Sequence, residues 1–362
     1  MASERGIFIT GFPGFIGQRL VERLASESPE ATFYLLVEPR LLFEAERRCR
    51  QLEQAEPALA GRWRLVVGDL RKPGLGIDPQ SLRVLQRNVA QVWHLAAVYD
   101  LAVTQAFAHS VNVGGTRRVL DLCESLDALE RLIYVSTCYV AGLRHGLVYE
   151  DELDCGQDFK NHYESTKYWA ELEVRERLDR VPTTIVRPAI VVGDSRSGVT
   201  AKADGPYFMV QLLHALPRWF PAVNLGAAAA PFNVVPVDFV VEAMVRLGAH
   251  ADAAGQTFAL ADPSPLTARA LMQLTLEAMG RPPARGRVPL ALASSVLRSA
   301  AFQRALPIPV QSLDYLDHHV EFDVSNTARL LGDALQCPRV QEYWPTLVRF
   351  AIEHPDLFRK AS

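Results

Sequence analysis

Two short stretches carry side chains that can together move a proton. In NHYESTKYWAE (161–171), Tyr163 and Lys167 lie four apart, so a helix would set them on one face, a turn from each other. A phenol ordinarily ionises near ~10, and it serves as acid or base at neutral pH only where a neighbouring ammonium stabilises the phenolate. Lys167 is spaced to do that, and to hold a ribose hydroxyl in a proton relay. In YVSTCYVAG (134–142), Thr137 and Ser136 stand at the end of an apolar run, where a hydroxyl can fix a substrate oxygen. A half-buried helix with an exposed lysine would show the same YxxxK spacing, so the two stretches need a scaffold that brings them together.

The opening segment GIFITGFPGFIGQRLVERLA (6–25) supplies part of that scaffold. Ile7, Phe8 and Ile9 read as a buried strand, while Phe15, Ile16, Leu20, Val21 and Leu24 follow helical spacing. Gly11, Gly14 and Gly17 fall at the strand-to-helix turn, where backbone N–H groups, those of Phe15 and Ile16 included, can face a pyrophosphate. A tight turn with Gly17 admitting close helix packing is the plainer reading. Dinucleotide binding further predicts an acidic residue about 20 residues on, at the end of the second strand. Glu38, closing FYLLVE, stands there and favours NAD over NADP, while Arg40 two residues later keeps a 2′-phosphate open. GDL (68–70) places Asp69 and Leu70 toward the adenine, and HLAA (94–97) places Ala96 and Ala97 beside the ribose and pyrophosphate.

Around these residues, apolar runs at 6–10, 32–38, 63–70, 91–97, 131–137 and 183–193 alternate with helical patterns. Strands apolar on both faces suit a sheet covered on both sides, so the reading is α/β, a doubly wound parallel sheet of Rossmann type with a smaller C-terminal substrate-binding domain. The expected division is 1–193 for the nucleotide-binding domain and 194–362 mainly for substrate and C-terminal helices, with 233–260 returning to the sheet. Residues 39–62 read as an exposed helix, and a helix within 230–248 as capped by Asp238. Phe208, Met209, Leu212, Leu213, Trp219 and Phe220, after the polar loop 194–208, read as an apolar substrate wall. Residues 288–310 fit a lid lining a tunnel, a packed helix or a helix on a membrane surface.

Composition narrows the classes. A formal net charge of −3 with 22% charged residues offers no basic face for nucleic acid. The five cysteines are scattered outside any CxxC or Cys/His cluster, which points away from disulfides and zinc and toward a reducing, cytoplasmic setting with no metal. Met1 to Arg5 is too short and charged to lead a secretory signal, and no run reaches membrane-spanning length. Oligomeric state is not readable from the chain.

The ordered set TGFPGFIG, GDL, HLAA, NVGGT, VSTCYVAG, YESTK and RPAIVVGD resembles the extended short-chain dehydrogenase/reductases across residues 6 to about 194, with further agreement at FNVVPVDFVVEAM. Within them, HLAAVYDLAV, NHYESTK and RPAIVVGDSRSG are more similar to the thioester and fatty acyl reductases of the male sterility type than to sugar-nucleotide epimerases. The resemblance implies Thr137, Tyr163 and Lys167 as the catalytic set, with Tyr163 and Lys167 also touching cofactor. Ser136 is then a helper, Asn112 a relay or structural residue, and Arg187 and Pro188 begin the segment passing the nicotinamide. The chain departs from the pattern at Pro13, inside the glycine loop, and at Glu38, where many acyl reductases carry an arginine for NADP. The implied chemistry is hydride transfer between NAD(P)(H) and a carbonyl or acyl thioester with an apolar tail. A sugar-nucleotide epimerase, with Lys202 and Arg218 as the few diphosphate partners, and a non-catalytic NAD(P)-binding module are the alternatives.

Overall fold

The computed structural model describes residues 5–99, 103–201, 205–219, 221–226, 228–299 and 310–359. Its centre is a seven-stranded, wholly parallel sheet in the order β3-β2-β1-β4-β5-β7-β11. These strands are β1 (Gly6–Thr10), β2 (Thr32–Val37), β3 (Trp63–Val67), β4 (Val89–His94), β5 (Arg131–Val135), β7 (Thr183–Pro188) and β11 (Thr257–Leu260). Successive residues feed opposite cores, as the pleat requires. Ile7, Ile9, Phe33, Leu35 and Val37 face one core, and Phe8, Tyr34 and Leu36 the other.

The first core is covered by α1 (Phe15–Glu27), α2 (Leu42–Ala55) and α7 (Val237–Ala249). The second is covered by α3 (Pro79–Asn88), α4 (Gln105–Glu124) and α5 (His162–Arg175). The sheet is therefore doubly wound. Strand order reverses between β1 and β4, so the carboxyl ends of these two strands, Thr10 and His94, flank the crevice where such sheets hold ligands.

The expected strand 183–193 is two strands. Pro188 has no N–H to continue a ladder, and after it the chain leaves the sheet, with Ala189 donating to the Leu260 carbonyl. It then forms β8 (Ile190–Val192), paired with β10 (Val234–Pro236) outside the main sheet. Of residues 233–260, only β11 joins the central sheet. Two further parallel ladders join β6 (Gly146–Val148) to β13 (Val320–Phe322) and β9 (Asn224–Leu225) to β12 (Arg287–Val288). A separate core of Tyr207, Val210, Phe232, Leu271, Tyr343, Trp344 and Leu347 holds α6 (Tyr207–Ala215), α8 (Ala268–Ala278) and the helix Val340–Glu353 together. The Trp344 indole donates to Thr275 Oγ1 at 2.9 Å.

Three expectations are corrected. α7 begins after Pro236, and Asp238 lies in its first turn, where its carboxylate accepts from Ser195 N and Oγ at 2.8 and 2.6 Å instead of capping. Residues 39–62 hold one helix between two 3₁₀ turns, and Ala45, Cys49 and Leu52 bury one of its faces. The apolar wall is mostly core, because Phe208 and Leu213 are buried, while Trp219 is 82% exposed. Phe220 and Lys202 lie outside the described residues.

Candidate active site

At the β1 end, Gly11 has φ +92°, a conformation side-chain-bearing residues rarely adopt. A Cβ on Gly17 would fall 2.5 Å from the Gly11 carbonyl oxygen, and one on Gly14 2.7 Å from it. The turn is therefore closed so tightly that only glycines fit. α1 has no side chain bonding to an N–H of its first turn, a feature it shares with α2, α6, α7 and α9 (Leu290–Leu297). Its first residues, Phe15 and Ile16, are half-buried and present that uncapped turn to the crevice, which fits a bound phosphate.

Glu38 and Arg40 end β2 as an ion pair, with Arg40 Nε donating to Glu38 Oε2 at 2.7 Å. Arg71 approaches the same carboxylate at 3.6 Å and grips Asp69 through its Nε (3.0 Å) and a terminal nitrogen (2.8 Å). The hydrogen bond from Arg71 holds the Asp69 carboxyl below its ordinary range. Leu70 packs against Gly115 on α4. Ala96 N donates to Thr10 Oγ1 at 3.1 Å, and Ala97 beside it is half-buried.

Across the crevice, α5 starts on an Asn161 cap and carries Tyr163 and Lys167 on successive turns. Burial raises the half-buried Tyr163 hydroxyl to about 12, with neighbouring Thr137 already pulling the other way. Tyr99 packs edge-on to the Tyr163 ring at 4.9 Å. Thr137 donates to the Pro188 carbonyl at 3.3 Å, so β5, β7 and α5 converge on one point. Lys167 is buried, which lowers its ammonium to about 7 against the opposing pull of Glu171. The ammonium donates to the Val135 carbonyl and to Tyr134 Oη, not to the Tyr163 hydroxyl.

Beneath the site runs a buried polar network that the motifs did not announce. Glu171 accepts from Ser136 Oγ (2.6 Å), Arg187 Nε (3.0 Å) and Arg175 Nε (3.1 Å). Burial alone would raise its carboxyl, but the Arg187 guanidinium wins and lowers it. Ser136, expected as a helper, thus spends its hydroxyl on Glu171. Arg187 also donates to the Glu150 and Glu152 carbonyls. Asn112 braces the chain after β4 through Val98 and reaches Thr166 at 2.9 Å. The spacing Tyr163, Lys167, Glu171, each four apart, is the signal that marks Glu171.

A cavity of about 440 Å³ opens beside the start of α5, next to Lys160. Leu143, Leu313 and the α9 residues Leu290 and Ala291 form its apolar wall, and most of its lining residues are polar, with Lys160, His145, His318, Arg298, Asp314, Asp317 and Ser294. α9 packs inward through Ala293 and Leu297, while Leu292 and Val296 are exposed; residues 300–309 of the expected segment lie outside the described ones. Arg218 is taken up by the Gly280 carbonyl at 3.1 Å. Among the described residues no helix is long and apolar enough to cross a membrane, and no group of three or more His, Cys, Asp or Glu is placed to hold a metal.

A reversed parallel sheet, a glycine turn on an uncapped helix and a Tyr/Lys pair on α5 define an extended short-chain dehydrogenase/reductase with an NAD(P)(H) cofactor. Residues 9–244 match the family model described as male sterility protein, and the chain belongs to that family. It is 26% identical over 276 residues to fatty acyl-CoA reductase wat of Drosophila melanogaster, covering 67% of this chain and 53% of the relative. The chain therefore spans about half the length of that relative. The terminal R domain of the myxalamid PKS-NRPS pathway superposes with a TM-score of 0.81 at 26% identity, covering 98% of this chain and 92% of that one. A dTDP-glucose 4,6-dehydratase from Streptomyces venezuelae, solved with NAD bound, shares the fold at a TM-score of 0.68 and 20% identity, covering 99% and 100%.

Proposed function

We propose that this protein reduces the carbonyl of an acyl thioester or aldehyde bearing an apolar tail, with Thr137, Tyr163 and Lys167 as its working residues. The observation that carries the reading is the meeting of Tyr163, from α5, with Thr137 at the end of β5, one helical turn above the buried Lys167. The bound nicotinamide supplies the hydride. Thr137 fixes the substrate oxygen, Tyr163 gives it a proton as charge develops there, and Lys167 holds a ribose hydroxyl. Gly11, Gly14, Phe15, Ile16 and Gly17 receive the pyrophosphate, Ala96 and Ala97 line the ribose side, Leu70 and Asp69 with Arg71 border the adenine, and Pro188 flanks the nicotinamide. Glu38, whose carboxylate draws Arg40 to itself, favours NAD over NADP.

Residues 194–362 mainly build the substrate side, and the cavity between α9 and Lys160 takes the tail. The likeness to fatty acyl-CoA and thioester reductases supports this substrate class. The test is to follow nicotinamide absorbance with NADH and NADPH separately against acyl-CoA esters, aldehydes, ketones and a UDP-sugar, identifying products. Rising kcat/KM with acyl length, by at most about 0.8 kcal/mol per methylene, is expected. Turnover of the UDP-sugar alone would replace this reading with an epimerase.

A further inference from the structure

Tyr134 is fully buried on β5, two residues before Ser136, and the chemistry above gives it no role. Lys167 has three N–H donors. One goes to the Val135 carbonyl at 2.7 Å and one to Tyr134 Oη at 3.1 Å, with the ammonium 4.6 Å from the Tyr134 ring centre.

The direction of each neighbouring hydrogen bond follows from the next. Thr10 Oγ1 accepts the N–H groups of Leu95 and Ala96, so its own proton goes to His94 Nδ1 at 2.7 Å. His94 then carries its proton on Nε2 and donates to Thr116 Oγ1 at 3.0 Å. Thr116 donates to the Asn112 carbonyl at 2.6 Å. Because an ammonium can only donate, the Tyr134 hydroxyl turns a lone pair to Lys167.

Resting on the placement of Lys167 beside the cofactor, we propose that Tyr134 is a positioning residue for Lys167: with the Val135 carbonyl it occupies two of the three N–H groups and leaves one aimed at the ribose. It also keeps a buried nitrogen charged. Burial has lowered this ammonium to about 7, so at neutral pH a single acceptor matters. The other groups facing it are Glu171, one turn on along α5, which favours the charge, and the neutral His94 from β4. Arg187 from β7 is engaged by Glu171.

The experiment measures NADH and NADPH dissociation constants by nicotinamide fluorescence across neutral pH in wild type, Tyr134→Phe, Lys167→Met and the double variant. Wild-type affinity should decline as pH rises through about 7. Tyr134→Phe keeps the ring but gives up the acceptor, and should move that midpoint down by about one pH unit. In the Lys167→Met background it should change nothing, because Tyr134 acts through the ammonium. An unchanged midpoint in Tyr134→Phe, or an equal further loss in the double variant, overturns the role of Tyr134 alone. Wild-type affinity in Lys167→Met at every pH overturns the placement of Lys167 and this role with it. Should Tyr134→Phe not fold, a ring-fluorinated tyrosine at 134 retains shape with a weaker acceptor oxygen; an unmoved midpoint there is equally decisive against the role.

Discussion

Burial raises the Tyr163 phenol to about 12 and the Lys167 ammonium bonds elsewhere, so the expected lowering by Lys167 is absent. The phenol stands protonated at neutral pH, the state a donor to a developing alkoxide needs. Tyr163→Phe removes only the hydroxyl, and the edge-on contact with Tyr99 should keep the ring in place. We expect single-turnover rates to fall by about 100-fold or more while cofactor titrations stay near wild type. Wild-type turnover in this variant on an identified substrate would remove Tyr163 from the mechanism. At the other end of the crevice, Glu38→Ala should shift the NADP to NAD affinity ratio upward, because it frees Arg40 and Arg71 from a carboxylate and lifts a negative charge from the 2′ position. Binding titrations of both cofactors read the ratio, and an unchanged value would show that Glu38 does not meet the ribose.

α5 works as a ruler, because three side chains sit at successive turns of one face: Tyr163 at the crevice, Lys167 below it and Glu171 in the buried network. Glu171 is fully buried against Arg187, so Glu171→Ala strands a buried guanidinium and should cost about 3–5 kcal/mol, read as a lowered urea midpoint. A loss below about 1 kcal/mol would mean that water or a shifted Arg187 relieves the charge. The elements themselves were largely legible. Strands apolar on both faces suit a sheet covered on both sides, and Gly11, Gly14 and Gly17 mark the turn after β1. What was not legible has physical causes. The break at Pro188 hides inside a continuous apolar run, and the ladders β6 with β13 and β9 with β12 are two or three residues long and join distant segments. Tyr134 and Ser136 read as strand and hydroxyl, and only the packing of α5 shows that one faces Lys167 and the other Glu171. Trp219 looks like a pocket residue by type, yet it lies beyond the end of α6 and is largely exposed, while Phe208 and Leu213 of that helix take the core.

Over the whole molecule, buried histidines give stability a direction in pH. His94 is held neutral at about 3 by burial, with the Lys167 charge acting the same way, against an ordinary value of 6.5. Below 6.5 the unfolded chain takes up a proton that the native protein refuses, so ν for the unfolded state exceeds that of the native state and stability falls as pH drops. The loss begins at 6.5, runs at about 1.4 kcal/mol per pH unit for this one residue, and levels off near 3. His318, lowered by burial to about 4, adds in the same direction. Carboxyls pull both ways: burial raises Glu150 and Glu164, while Asp69 is lowered first by its hydrogen bond from Arg71. The total slope therefore does not isolate the histidine, and a difference does. His94→Asn keeps one donor and one acceptor for Thr116 and Thr10 but cannot take up the proton. Urea midpoints of the two proteins, compared at steps from neutral to acid, should converge as pH falls below 6.5, the variant losing less per step. Parallel curves would show that His94 is protonated within the native protein, and that the Thr10–His94–Thr116 chain does not hold the neutral form.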